Sequence, residues 1–259
     1  MAKFVSLLLF AFTLTVFSQQ DSLQVAFKTK ESLRVEKLIG FDNFNYRYSL
    51  TNNTLTKSSE KAEYVYNNMQ LGDVTTVDIT NALKVILFYK DQNTVVVLDN
   101  TLSEIKKINF NQVNLFRKIA FATTAYENNI WIYNELNQEL ELYNYIDNRT
   151  ILKTLPINES IVTIKSNFNY CWVITEEKLL CYNVYGSEIN HIVYNGVEQI
   201  SIYRDNLILK KNKTLYYLNS EDNIITLTLP ELSIRDFSLN NQTLYLYDGK
   251  FIYHYKLIK

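Results

Sequence analysis

The chain contains few residues of the types that usually carry catalysis or bind metals. Its 259 residues include only two histidines and two cysteines. His191 lies in EINHIVY and His254 in FIYHYKL, and both stretches are typical of strands. Two strand histidines make neither a zinc-ligand cluster nor a dependable Ser-His-Asp arrangement. We expect both histidines to be packed or exposed side chains, and we expect no metal site.

Asp73 and Asp78, in LGDVTTVDITN, are the carboxylates whose placement most favours chemistry. They flank the entry to a predicted strand, and Asn81 follows. Paired carboxylates in such a place bind a cation or act as acid and base. The alternative is that Asp73 is a turn residue and Asp78 caps the strand. We take Asp73, Asp78 and Asn81 as candidate binding residues and assign no catalytic residue.

Trp131 and Trp172, with the 20 tyrosines, offer a different kind of site. Aromatic side chains are enriched at protein interfaces, and they also stack on sugars. The alternative is that these rings pack between sheets, as most aromatic residues at alternate strand positions do. We keep both tryptophans as candidate binding residues.

Cys171 and Cys181 lie in CWVITEEKLLC, on two predicted strands joined by a turn near residues 175–177. If that turn has three residues, the cysteines sit directly opposite each other. Cross-strand partners can be close enough for a disulfide, although its geometry is demanding. An oxidising compartment would allow the bridge, and two buried free thiols are the alternative.

Strands must position all of these residues, because the composition favours strands throughout. Tyrosine (20) and phenylalanine (14) are abundant, whereas glycine (5) and proline (2) are scarce. Asparagine takes the turn positions instead, as in TNNT, KNKT and NNQT, because it tolerates left-handed backbone conformations. No segment after the first 18 residues has convincing helical periodicity.

The strands recur in a set order. KVILFYKDQNTVVVLD, ENNIWIYNELNQELELY and RDNLILKKNKTLYYL each contain an apolar strand, a short polar turn and a second strand. A short leading run precedes each unit, and successive runs lie about 40 residues apart, the size of a four-stranded propeller blade. The leading runs begin at Val77, Ile119, Ile161, Ile200 and Ile234. A weaker copy from Leu33 makes six units.

These units predict an all-β fold, a β-propeller of six four-stranded blades. The last unit ends after three strands, which would leave an exposed edge. LQVAFKT, residues 23–29, precedes the first unit and alternates like a strand. We predict that it supplies the missing outer strand and closes the ring, a disordered N-terminus being the alternative. Five or seven blades, or a β-sandwich, are the competing architectures.

The first residues have the pattern of a secretory signal. Lys3 precedes an apolar stretch over residues 4–17 that is too short to span a bilayer comfortably, and small residues lie before Gln19. We predict a signal peptide over 1–18 and a single domain over 19–259. We expect export to the periplasm or cell envelope, with secretion as a further option and no transmembrane segment in the mature chain.

The charge pattern bears on the class of partner. The formal net charge is −1, and acidic and basic residues are interspersed. This pattern lacks the basic field that nucleic-acid binding needs, so we expect no nucleic-acid partner.

The block LGDVTTVDITNALKVILFYKDQNTVVVLDNTLSEIKKINF, residues 71–110, resembles uncharacterised secreted propeller-like proteins of Bacteroidota. The ending FSQQ of the predicted signal is similar to that group, and the resemblance is best over 38–145. The resemblance lends no catalytic residues. At fold level the chain also resembles NHL-like and quinoprotein-like propellers, but it lacks tryptophan-docking repeats, WD dipeptides and an Asp-box. We therefore expect no cofactor.

We interpret the chain as a non-enzymatic, exported propeller, monomeric on its own, that presents loops to a protein partner in the bacterial cell envelope. A second interpretation is a carbohydrate-active or other hydrolytic enzyme with carboxylates at the central channel, and a third is small-ligand binding in that channel. An enzyme should bring several carboxylates to one channel mouth, at least one with a strongly shifted pKa. A scaffold should show a broad apolar or aromatic patch.

Overall fold

The structure is a computed structural model that describes residues 22–219 and 221–258. It contains 24 strands, and no helix occurs within those ranges. The predicted signal peptide, residues 1–18, lies outside the described residues. The first strand, β1, spans Ser22–Ser32, and the later strands follow in antiparallel sets that form six blades when β1 is counted with the last.

The blades are made of consecutive strands. Blade 1 contains β2 (Lys37–Phe41), β3 (Arg47–Thr51), β4 (Thr54–Ser58) and β5 (Glu63–Tyr66). Blade 2 contains β6 (Thr76–Asn81), β7 (Lys84–Tyr89), β8 (Thr94–Leu98) and β9 (Glu104–Asn109). Blade 3 contains β10 (Ile119–Thr124), β11 (Asn129–Asn134), β12 (Glu139–Asn144) and β13 (Arg149–Lys153). Blade 4 contains β14 (Ile161–Ser166), β15 (Tyr170–Thr175), β16 (Lys178–Asn183) and β17 (Glu188–Val193). Blade 5 contains β18 (Gln199–Tyr203), β19 (Asn206–Lys211), β20 (Thr214–Leu218) and β21 (Ile224–Thr228). Blade 6 contains β22 (Asp236–Asn240), β23 (Thr243–Tyr247), β24 (Phe251–Ile258) and β1.

The prediction of an all-β propeller with six four-stranded blades is confirmed. The predicted leading runs are the first strands of blades 2 to 6, and the last of them begins at Asp236, two residues after the predicted start. First strands of neighbouring blades contact one another, which places them around the centre of the ring.

In several blades the middle strands contain apolar runs because neighbouring blades cover both of their faces. In blade 2, every residue of β7 and β8 is buried. The turn between these strands contains Asn93, whose φ of 48° lies in the left-handed region. Seven of the twelve described non-glycine residues with positive φ are asparagines, which agrees with the predicted use of asparagine in turns.

An apolar cluster lies at each of the six seams between neighbouring blades. The cluster between blades 6 and 1, where the ring closes, is the smallest, with four buried residues. Polar bonds strengthen this seam: Asp236 Oδ2 accepts from the Leu38 N–H at 2.9 Å, and Asn240 Nδ2 donates to the Asp42 carbonyl at 2.6 Å. Side-chain hydrogen bonds therefore supplement apolar burial where the apolar contact is least.

The N-terminal strand closes the ring, as predicted. β1 pairs antiparallel with β24 from the Gln24–Ile258 pair to the Ser32–Phe251 pair. Its first three residues also pair in parallel with β21 of blade 5, so blades 5 and 6 form one eight-stranded sheet. The sequence did not predict this second pairing. It covers part of the outer edge of blade 5, which would otherwise be open.

Deleting the chain up to Ser32 should lower the free energy of unfolding by about 3 kcal/mol or more, measured by denaturant titration. The reason is that Leu23 and Val25 pack against the cluster between blades 5 and 6, and both would be lost with the β1–β24 ladder. A synthetic peptide of residues 21–33, added in trans, should restore part of the loss. The same peptide carrying Leu23→Asp and Val25→Asp should not. Equal stability of the truncated and full chains would contradict closure by β1.

Candidate functional site

The first strands of the blades surround a central channel, which contains a cavity of about 410 Å³ open toward the end at which these strands finish. The lining comes from blades 1, 2, 4, 5 and 6, mainly from the ends of their first strands and the turns that follow. We call this end the channel mouth. A shallower groove of about 490 Å³ lies between blades 6 and 1. We take the mouth as the candidate site because five blades contribute to it, as is usual for a preformed binding cavity.

Asp78, on β6, is buried in the wall of the channel mouth. Its Oδ1 accepts hydrogen bonds from the Thr80 N–H at 3.0 Å and the Thr80 hydroxyl at 2.6 Å. Its Oδ2 accepts from the Thr123 hydroxyl at 2.6 Å and the Thr124 N–H at 2.7 Å. Burial alone would raise the pKa of Asp78, but the Lys165 ammonium and these hydrogen bonds outweigh burial and hold the pKa below its usual range.

These contacts extend into blade 4. The Ser166 and Thr123 hydroxyl oxygens are 3.0 Å apart, and Ser166 also donates to the Thr124 carbonyl. We call this set the Asp78 seam; its members are Asp78, Thr80, Thr123, Thr124 and Ser166. Asn167 carries the connection further, because its Nδ2 donates to the Arg204 carbonyl of blade 5 at 2.8 Å. Hydrogen bonds beside the mouth therefore link blades 2, 3, 4 and 5, in addition to the apolar clusters at the seams.

Asp42 is the second buried carboxylate of the channel mouth. Its Oδ1 accepts from the backbone N–H groups of Phe44 at 2.8 Å and Tyr46 at 2.9 Å, and its Oδ2 accepts from the Tyr48 hydroxyl at 3.0 Å. The Lys57 ammonium is 3.6 Å from Oδ2. Burial, together with Asp42, raises the pKa of Tyr48. Both buried carboxylates of the mouth therefore accept hydrogen bonds from backbone N–H groups and hydroxyl groups of the protein itself.

Lys165, on β14, differs from these carboxylates. Its side chain is half-buried in the lining of the mouth. Over the described ranges, its ammonium has neither a hydrogen-bond acceptor nor a carboxylate within ion-pair distance. The rim beside it carries the half-exposed Phe168 and the exposed Arg204, whose guanidinium lies 5.5 Å from the Tyr203 ring centre. The mouth therefore combines apolar side chains, aromatic rings at its rim and the Lys165 ammonium, which has no hydrogen-bond or ion-pair partner among the described residues.

A second buried lysine has a structural role. Lys84 donates to the carbonyls of Ala125, Glu127 and Asn129, at 2.6, 2.7 and 2.9 Å. Burial lowers the pKa of Lys84 to about 8, and the Asp78 carboxylate opposes that shift. These bonds fix the turn that follows the first strand of blade 3.

The candidate carboxylates Asp73 and Asp78 do not share a partner. Asp73 is exposed and accepts a hydrogen bond from Asn53 Nδ2 of blade 1 at 2.5 Å, whereas Asp78 binds blade 3. Asn81 ends β6, and its Oδ1 accepts from the Leu83 N–H at 3.0 Å, which shapes the turn. Of these three candidates, only Asp78 lines the mouth.

The two tryptophans lie at different seams. Trp131 is fully buried between blades 3 and 4. Trp172 is buried between blades 4 and 5, but it also lines a groove of about 230 Å³, and its ring centre is 5.7 Å from that of Tyr170. Neither ring reaches the channel mouth.

Cys171 and Cys181 are free thiols, so the disulfide that the sequence left open is not formed. The turn between β15 and β16 has two residues instead of three, and Cys181 therefore pairs with Trp172 while Cys171 pairs with Tyr182. A shift of one position directs the two thiols to opposite faces of the blade. Cys171 joins the cluster between blades 3 and 4 and Cys181 that between blades 4 and 5. Burial raises the pKa of Cys181 to about 12 and that of Cys171 well above its usual value.

The histidines make single polar contacts. His191 Nδ1 is 2.9 Å from Glu188 Oε1, and His254 Nε2 is 3.3 Å from Glu31 Oε1. Among the residues that the structure describes, no three histidine, cysteine or acidic side chains are grouped so that they could hold a metal ion. The same residues include no helix capable of crossing a membrane.

Asp78 is the one candidate among the lining residues of the mouth; Asp42, Lys165, Phe168 and Arg204 were among those that the sequence candidates lacked. A signal for Lys165, Phe168 and Arg204 existed in the repeat. Each lies near or just after the end of a leading run, as Asn81 does in blade 2. Superimposing the units would have placed all of these positions at the same end of the channel.

No protein-family model matches the chain, and no curated protein sequence matches it. Solved structures do resemble it. Virginiamycin B lyase from Staphylococcus aureus has a TM-score of 0.61 at 11% identity, covering 92% of this chain and 96% of the lyase. The WD40 repeats of RRP9 have a TM-score of 0.63 at 7% identity, covering 92% and 100%. The WD40 domain of Neurospora crassa Pan2 has a TM-score of 0.58 at 9% identity, covering 87% and 75%. At these identities the similarity shows the β-propeller fold alone.

Replacing Asp78 should destabilise the protein in a pH-dependent way. Asp78→Asn should lower the free energy of unfolding at pH 7 by about 2–4 kcal/mol, because an amide cannot accept four hydrogen bonds as a buried carboxylate does. The folded pKa of Asp78 lies below that of the unfolded chain, so its stabilisation is present above about pH 4 and is lost as the pH falls further. Denaturant titrations should therefore show that the free energies of unfolding of wild type and variant become more similar below about pH 4.

Asp73→Asn is the matched control, since it makes the same change at an exposed carboxylate. It should alter stability by no more than about 0.5 kcal/mol at any pH. Equal effects of the two substitutions at pH 7 would show that the Asp78 seam does not hold the blades together.

Proposed function

We propose that the protein is an exported, non-enzymatic β-propeller that acts as an interaction scaffold for a protein partner in the bacterial cell envelope. One observation carries the proposal: four large apolar side chains stand exposed together around blade 3. We call them the blade-3 patch; they are Leu115, Phe116, Leu136 and Leu155. Their exposed fractions run from 53% to 85%. Grouped apolar side chains in water are typical of a protein interface.

The patch lies at the end of the ring opposite the channel mouth. Leu115 and Phe116 are in the link that enters β10, Leu136 is in the turn between β11 and β12, and Leu155 is in the link that leads to β14. The first strands end at the mouth, so the links that enter them lie at the other end.

Backbone hydrogen bonds hold the three segments of the patch side by side. The Glu135 N–H donates to the Lys118 carbonyl at 2.8 Å, which joins the first link to the β11–β12 turn. The Ile157 N–H donates to the Gln138 carbonyl at 2.7 Å, which joins the same turn to the second link. The patch is therefore one surface made by three neighbouring segments.

A buried ion pair fixes the first of these links. Arg117 Nε donates to Glu141 Oε2 at 2.8 Å, and Arg117 Nη1 donates to the Leu115 carbonyl at 2.7 Å. Glu141 also accepts from Asn134 Nδ2 at 3.0 Å and from the Thr150 hydroxyl at 2.5 Å. Arg117 and Glu141 are both buried, so the network holds the backbone of the patch in place. A preformed surface loses less conformational entropy on binding.

The surroundings of the patch indicate the chemistry of the partner. Glu135 forms ion pairs with Lys118 at 2.9 Å and with Lys90 at 3.7 Å, so charges of both signs lie next to the apolar residues. An apolar centre with a polar rim is the usual anatomy of a protein interface. We therefore propose a partner that presents apolar side chains and no strong charge.

The hydrolase alternative has less support. Acid–base catalysis needs carboxylates that can exchange protons with a substrate. Both oxygens of Asp78 accept bonds from the fold, and Asp42 is enclosed by its own turn and Lys57. These two are the acidic residues that line the channel mouth in the described part of the chain.

Capture from the native envelope tests the proposal. The full chain and the variant Phe116→Ser/Leu155→Ser would be used as bait with the envelope fraction of the native cells, and bound proteins identified by quantitative mass spectrometry. The full chain should recover a reproducible partner, and the variant should recover at least about tenfold less, because about 2–3 kcal/mol of apolar contact is removed.

The control is Phe44→Ser/Leu83→Ser, which removes two equally exposed apolar side chains from turns at the other end of the ring. This variant should recover the partner as the full chain does. Failure to recover a reproducible partner, or equal recovery by the patch variant, would contradict the proposal.

A further inference from the structure

The channel mouth has the size and walls of a small-molecule site. Its volume of about 410 Å³ lies in the range of ligand cavities. Half of its lining residues are aliphatic or aromatic; they include Ile39, Val77, Ile79, Ile200, Ile202 and Leu239. An apolar body of moderate size therefore has a complementary surface here.

Lys165 is the cation set deeper in the wall of this cavity, and its side chain is half-buried there. A partly buried ammonium with no anion in contact is stabilised when an anion comes within contact distance. The Lys165 ammonium acts on Asp78 through space, but the two Asp78 oxygens are directed to donors on Thr80, Thr123 and Thr124. In the described residues, the Lys165 ammonium has no carboxylate within 4.0 Å.

The other ionisable side chains of the lining do not fill this role. The Asp42 carboxylate accepts hydrogen bonds from its own loop and forms an ion pair with Lys57. Arg204 stands exposed at the rim beside Tyr203 and adds a second positive charge. An anion that enters the mouth would meet Arg204 at the rim and Lys165 deeper in the wall.

We infer that the channel mouth binds a small amphipathic organic anion, with Lys165 as its counter-ion and the aliphatic walls around its apolar body. The ligand class is a carboxylate or sulfonate on an aromatic or aliphatic frame. The half-exposed Phe168 ring at the rim suits an aromatic frame, because offset or edge-on ring contacts add to apolar burial. This inference is independent of the proposed scaffold function, since the blade-3 patch lies at the opposite end of the ring.

A pair of fluorescent probes that differ in charge tests the inference. The anion is 8-anilinonaphthalene-1-sulfonate, and its uncharged counterpart is N-phenyl-1-naphthylamine. Titration of the folded full chain should show one saturable site for the sulfonate. Lys165→Met should weaken sulfonate binding about tenfold or more and leave binding of the uncharged probe within about twofold. Lys165→Arg, which keeps the charge, should retain most of the affinity.

Lys107→Met is the control, because it removes an exposed lysine on β9, the outer strand of blade 2, away from both the mouth and the blade-3 patch, and it should change neither affinity. Thermal unfolding of each variant confirms that it is folded. If Lys165→Met does not fold, the wild-type protein gives the answer through salt, which should weaken the sulfonate and spare the uncharged probe. Absence of a saturable sulfonate site, or equal sulfonate affinity in the wild type and a folded Lys165→Met, would overturn the inference. Both measurements report probe binding to the isolated chain, so neither depends on whether the blade-3 patch binds a protein partner.

Discussion

The structure depends on how separate blades are joined around a channel, and the Asp78 carboxylate is central to that joining. Each blade has its own ladder, and apolar contact between blades is not directional. Asp78 adds direction because its carboxylate accepts hydrogen bonds from Thr80 of its own blade and from Thr123 and Thr124 of the next blade. Ser166 extends these contacts into blade 4, since its hydroxyl donates to the Thr124 carbonyl. A buried carboxylate is tolerated only when its oxygens accept hydrogen bonds. The charge of Asp78 therefore requires the threonine hydroxyl groups around it.

This constraint separates the roles of the two ends of the ring. At the mouth, both carboxylates accept hydrogen bonds from the protein, whereas the Lys165 ammonium has no hydrogen-bond or ion-pair partner among the described residues. At the opposite end, the Arg117–Glu141 pair is also committed to the fold, and it holds the link on which Leu115 and Phe116 are exposed. In both places, buried charges organise the backbone, and the side chains beside them remain available for binding. The proposed scaffold function rests on this division.

The sequence predicted the repeat well and the site only in part. Blades were visible because middle strands such as KVILFY are covered on both faces, and ring closure followed from a last unit that lacked one strand. Asp78 was found as a candidate, but its partners lie about 45 residues away and become neighbours only when the blades stack. The sequence left the pairing of Cys171 and Cys181 open because one residue in a turn decides which face each thiol occupies. Lys165 was missed because alternation does not tell which side of an inner strand faces the channel.

A double-mutant cycle between Asp78 and Thr123 tests the central claim most directly. Free energies of unfolding would be measured at pH 7 for the wild type, Asp78→Ala, Thr123→Val and the double variant. If the carboxylate joins blades 2 and 3 through the Thr123 hydroxyl, the double variant should lose at least about 1 kcal/mol less than the sum of the single losses. Strict additivity would show that the two side chains do not interact, and it would return Asp78 to the residues available for chemistry at the channel mouth.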